Sequence, residues 1–314
     1  MKRTALLIVV IISLVPVKAQ IQVRPLPVPG FEDRIREFVD QMRVVDTHEH
    51  LLPLAEMKNS SLDFTLLISH YAPGDFRSAG MPGQILDKLF TDSLTVIEKW
   101  QALEPYWEGS SNTGYNRAAL LSVDKLFGIK NIDETTVEVL SEKIKNAYKT
   151  DWYNRVLKEK CRIDYVVEDY PFDDKGGHII GDPDMFRFVR KFDSFILIDS
   201  KDKILNLARS DNAGIHTLND LVATLEKAFQ EAMDDKIVAV KTILGYNRIL
   251  FYEDVKKEEA EEVFDMIMNS SEKNAFAFTE VKKLQDYMMH RVLNLANKNH
   301  MPVQIHTGLN GGGY

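Results

Sequence analysis

Residues 43–50 read RVVDTHEH. Val44 and Val45 are β-branched and follow Arg43 into what the pattern predicts as a buried strand. The strand closes on two histidines one residue apart. Side chains at i and i+2 of a strand point to the same face, so His48 and His50 can present two imidazoles to one divalent metal. Asp46 shares that face, and an acid there can orient a ligand histidine. The spacing alone is weak evidence. With 8 histidines in 314 residues, a chance H-x-H pair arises roughly 0.2 times per chain. Its place at the end of a strand gives it weight.

Outward from this stretch, further strand-like runs fall at Ile163–Val167, Phe195–Ile198, Ile237–Lys241 and Pro302–His306. Helical patterns lie around and between them. Phe31 to Met42 carries Ile35, Phe38, Val39 and Met42 at helical spacing. Thr217 to Met233 carries Leu218, Leu221, Val222, Leu225 and Phe229 on one face, and a long helical region with breaks runs on to Asn299. Strands alternating with helices predict a parallel α/β architecture. Residues 60–160 differ: they hold Trp100, Trp107 and Trp152, and Asp133 to Tyr148 has an acidic first turn followed by helical spacing. This region reads as a mainly helical insertion after the first strand, forming a lid or pocket wall, or else a structural subdomain or dimer surface.

The chain is 45% hydrophobic, enough for a sizeable core in one large domain or two small ones. Its net charge of −8 argues against nucleic acid or an anionic membrane as partner, since both need a basic footprint. Lys2 and Arg3 precede an apolar run from Ala5 to Val17, and Val17-Lys18-Ala19 offers small side chains for cleavage before Gln20. Residues 1–19 therefore read as a secretory signal peptide, with the mature chain periplasmic or secreted and free of the membrane. Residues 20–30 form a proline-rich extended arm. Cys161 is the single cysteine, and a packed core thiol is expected there rather than a nucleophile.

Further polar residues stand near strand ends. His306 follows the last strand and leads into Thr307-Gly308, the position where barrel sites gather; the plain alternative is a hydrogen-bonded rim histidine. Lys241 ends its strand on the face of Ile237 and Ala239. An ammonium there needs a partner, either a substrate acid or a metal reached as a carbamate, unless the side chain leaves for solvent. Tyr246 and Arg248 lie just downstream, and arginine suits a bidentate grip on a carboxylate. Asp75 and Arg77, in HYAPGDFRSAG, can contact substrate or staple their own loop. His70, His178, His216, His290 and His300 lack paired spacing and read as structural or solvated. Gly311-Gly312-Gly313 lacks the following Lys-Ser/Thr of a phosphate loop.

Together, VVDTHEH, AVKTILGYNR and PVQIHTGL resemble the first, fourth and fifth strand motifs of the amidohydrolase superfamily, in its amidohydrolase-related branch. That resemblance implies a (β/α)8 TIM barrel with one or two divalent metals, zinc foremost, at the C-terminal rim. It maps His48, His50, Lys241 and His306 onto metal positions; Tyr246, Arg248 and Asp75, read above from the residues themselves, remain the candidate contacts to a small-molecule substrate. The implied chemistry is hydrolysis of a small amide, lactone or carboxylated compound by a metal-activated water. Uronate isomerase-like and decarboxylase members of the superfamily are the alternative, and a non-catalytic chain or binding module is another. Only about five strands are counted where a full barrel needs eight. Residues 20–314 are accordingly expected to form an incomplete, C-terminally truncated barrel, without the later histidine and the catalytic aspartate, and with homo-oligomerisation possible.

Overall fold

The valines after Arg43 open a strand, β1 (Val44–Glu49), but not the buried one expected: Val44 and Val45 are 42% and 40% exposed. The computed structural model describes residues 30–57, 62–169, 182–210, 214–271 and 275–308. The leader read at 1–19, the arm read at 20–30 except for Gly30, His178 and Gly311–Gly313 lie outside the described residues. The chain divides between Met42 and Arg43 into two units. In the first, the helix Phe31–Gln41 leaves its apolar stripe of Ile35, Phe38, Val39 and Met42 exposed.

In the second unit, β1 is joined by β2 (Ile163–Glu168), β3 (Phe186–Lys191), β4 (Ala239–Thr242) and β5 (Val303–Ile305). All four pairings are parallel and the strands lie in chain order. The register sets Lys191 beside Lys241 and Lys241 beside Gln304. Between β1 and β2 the described elements are all helical.

The sheet curls. At about 4.8 Å per strand, a flat sheet would put β1 and β5 roughly 19 Å apart. Yet the Gln304 amide of β5 donates to the carbonyl of Thr47 in β1, and Lys241 of β4 reaches His48. Five parallel strands thus form a curled half-barrel whose inner face carries Val167, Val189 and Ala239.

Helices cover the outer face. The helix Leu218–Asp234 starts where Thr217 and Asp220 form a reciprocal capping box. It buries Leu221, Leu225 and Phe229 in one core with Phe188, Val240, Phe264, Leu284 and Met288. A second core joins Phe64, Trp100, Leu103, Leu140 and Ile144 of the helical segment to Val166 and Phe186 of the sheet. These two cores hold the strands whose ends carry the polar cluster described below.

Two further expectations are corrected. The third strand is not Phe195–Ile198: that run lies in and just beyond a short helix, Asp193–Ile196, and is buried in the outer core. A short apolar run looks alike in strand and buried helix. The true β3 was masked because Arg187 and Arg190 interrupt its apolar pattern. Cys161 is exposed rather than packed, because it sits at the turn before β2, next to Arg162 with φ of 54°.

Candidate metal-binding site at the strand ends

The polar cluster begins with β1. The strand breaks register between Asp46 and Glu49, so strict alternation does not hold there. The Asp46 carboxylate accepts the His48 backbone N–H at 3.2 Å and also bonds Glu49; this is a backbone role rather than the expected grip on a histidine ring. The two imidazoles still converge, with Nε2 of His48 and Nε2 of His50 3.0 Å apart. Burial, and next the neighbouring Lys241, hold His48 below the ordinary histidine range; burial does the same to His50. Both are therefore neutral near pH 7, the form that ligates metal.

Lys241 reaches this pair from β4. It is 1% exposed, and its Nζ lies 3.1 Å and 3.2 Å from Nδ1 and Nε2 of His48. It donates to Oε1 of Gln304 at 3.0 Å. Burial pushes its pKa down, as expected for an amine in a low-dielectric pocket. His306 follows β5, but its Nε2 is 2.6 Å from the Tyr246 hydroxyl. Its ring centre stands 6.3 Å from that of His48.

The donor set fits a divalent ion through two imidazoles. At a metal–imidazole distance of about 2.0–2.1 Å, nitrogens 3.0 Å apart subtend about 90° at one ion. No group of three or more His, Cys, Asp or Glu with metal-binding arrangement occurs among the described residues. The structure thus brings together His48, His50 and Lys241, and leaves His306 paired with Tyr246 at the edge of the cluster.

Two expected substrate contacts are spent elsewhere. The Arg248 guanidinium is buried; it donates to Asp286 at 2.5 Å, to Gln285 at 3.0 Å and to the Phe251 carbonyl at 3.3 Å. It also lies over the Tyr252 ring, 4.3 Å from its centre. That set consumes the fork that would have gripped a carboxylate. Asp75 lies in a helix, Ala72–Ser78, not a loop, and accepts the Thr113 hydroxyl at 2.6 Å. This contact staples two helical segments.

Sequence reasoning missed several members. Asp169, just past β2, is buried; Lys191 donates to its carboxylate and its carbonyl faces His50 Nδ1 at 3.3 Å. Gln304 ties β4 to β1. His70 packs edge-on against Tyr71, which stacks on Tyr115 at 4.9 Å. His70 lies within electrostatic reach of His50, and Tyr71 within reach of Tyr246. In the HYAPGDFRSAG stretch it is therefore the first two residues, rather than the aspartate, that lie toward the cluster.

The fold has known counterparts. The chain superposes on a uronate isomerase from Thermotoga maritima with a TM-score of 0.68 at 17% identity, over 88% of this chain and 61% of that one. It superposes on a glucuronate isomerase from Caulobacter crescentus with a TM-score of 0.66 at 14% identity, over 88% and 60% respectively. It therefore spans about three fifths of their length. No protein-family model matches the chain, and no curated protein matches it in sequence. At such identities the likeness is one of fold, and function must be argued from the site.

Proposed function

We propose that this chain carries the metal-holding part of an enzyme of the sugar-acid isomerase type, exported by the leader read at residues 1–19. The observation that carries the reading is the approach of His48 and His50 to 3.0 Å beside Lys241, at the C-terminal ends of parallel strands. His48 and His50 would hold a divalent ion, zinc foremost. Such an ion polarises a substrate oxygen.

The chain's own residues supply the rest. Tyr246 and His306 form a phenol–imidazole pair open to solvent. It can hold or pass a proton at the substrate's edge, and isomerisation of a sugar acid moves protons between neighbouring atoms. The stacked Tyr71 and Tyr115, partly exposed, offer an apolar face to a sugar ring. Hydrolysis of an amide or lactone would use the same metal seat. It also needs a base for the attacking water, and Asp169, whose carbonyl faces His50, has its carboxylate tied to Lys191.

The test has two parts on the full chain. Zn2+ or Co2+ uptake is measured by titration, and a hexuronate is then followed by NMR for interconversion of its aldose and ketose forms. Absence of metal uptake refutes the metal-site reading. Turnover of small amides or lactones with none of hexuronates shifts the assignment to hydrolysis.

A further inference from the structure

His50 is oriented by a peptide carbonyl that is pinned on two sides. Its Nδ1 lies 3.3 Å from the carbonyl oxygen of Asp169. A carbonyl only accepts, so Nδ1 carries the proton and Nε2 keeps its lone pair. That bare Nε2 is the atom 3.0 Å from His48. The orientation of the Asp169 peptide therefore decides which His50 nitrogen is available.

Asp169 lies one residue past the end of β2. Its N–H donates to the Glu49 carbonyl at 3.0 Å. Its carboxylate receives Lys191 Nζ from β3, and both side chains are almost fully buried. Removing two charges from water costs about as much as their attraction returns. Stability alone does not account for the pair; fixing one geometry is a role better suited to it.

We propose that Lys191 is a positioning residue: by holding the Asp169 carboxylate it fixes the carbonyl that sets the His50 tautomer. This rests on the reading of His48 and His50 as the metal seat, but the tautomer exists without metal and can be measured alone. The contact through which Lys191 acts is its ion pair with Asp169.

The test uses the full chain, 15N-labelled at histidine and free of metal. Long-range 15N–1H spectra separate the tautomers, and His50→Gln identifies the His50 signals. The wild type shows the Nδ1–H form. Lys191→Met moves His50 toward a mixture with Nε2–H, and Lys191→Arg restores the wild-type pattern. If Lys191→Met fails to fold, the double variant Lys191→Met with Asp169→Asn buries no unpaired charge and carries the same readout. Added Co2+ binds the shifted variants about 10- to 100-fold more weakly, the usual cost of losing an outer partner of a ligand histidine. An unchanged His50 tautomer in a folded Lys191→Met or double variant overturns the proposal. Failure of the wild type to bind Co2+ removes the metal seat and leaves the tautomer result standing.

Discussion

Lys241 Nζ and His48 Nδ1 stand 3.1 Å apart, although their strands are three places apart in the sheet. Only a curled sheet permits that contact, and Gln304 reinforces it by bonding both Lys241 and the Thr47 carbonyl. The Lys241 stem fills buried space, while its amine carries a desolvation cost. Lys241→Met keeps the volume and discards that cost, so it is expected to change stability by less than about 1.5 kcal/mol. Lys241→Ala leaves a void and is expected to cost about 2–4 kcal/mol. Urea denaturation of both variants checks this. Equal losses would mean that the amine contacts, not the packing, dominate.

Glu168 predicts a pH dependence. It ends β2 almost fully buried; Oε1 accepts the Leu51 N–H at 2.8 Å and Oε2 has no hydrogen-bond partner among the described residues. Burial, with Glu49 and Asp169 nearby, pushes its pKa up to about 8. A carboxyl whose folded pKa lies above its unfolded value favours the folded state while protonated. Its contribution is complete below about pH 4.5 and is lost as pH rises toward about 8. The loss over that window amounts to a few kcal/mol, roughly 1.4 per pKa unit. Glu168→Gln should flatten the slope, and a wild-type slope retained in that variant would assign the effect to another group.

Arg248 is expected to matter for stability. It is bound to Asp286, and both side chains are shut away from solvent. Arg248→Ala leaves Asp286 with Lys282 alone as its charged partner and should cost about 3 kcal/mol. Arg248→Lys should not recover it, because the fork also serves Gln285 and the Phe251 carbonyl. Thermal melts read this directly. A substrate-gripping arginine would instead leave the melt unchanged and raise KM.

These residues also show what the amino-acid pattern could and could not reveal. β1, β2, β4 and β5 were legible because each is an apolar run bounded by polar turns, and His48, His50 and Lys241 because they sit where such runs stop. β3 was not, since Arg187 breaks its run; its guanidinium lies 4.1 Å over the Tyr165 ring, a contact made across strands. Asp169, Lys191 and Gln304 were missed for a related reason. Each is a single polar residue in or after a strand, and its meaning comes from a register that no one stretch displays. Spacing placed Arg248 near the strand end but could not say that it turns toward the helix Phe278–Lys298.

Tyr246 separates chemistry from scaffold. The residue is 42% exposed, and its hydroxyl, 2.6 Å from His306 Nε2, is its polar contact at the site. Removing that oxygen opens no buried cavity and strands no buried charge, so Tyr246→Phe should alter stability by less than about 0.5 kcal/mol. Metal affinity should also hold, because His48 and His50 do not depend on this contact. If the phenol–imidazole pair moves the substrate proton, kcat falls by about 100-fold or more, the usual worth of a positioned acid or base. KM changes little, because the lost interaction belongs to the transition state. Steady-state kinetics beside a Co2+ titration checks both halves. A rise in KM at constant kcat would make Tyr246 a binding contact, and unchanged kinetics would remove the pair from the reaction.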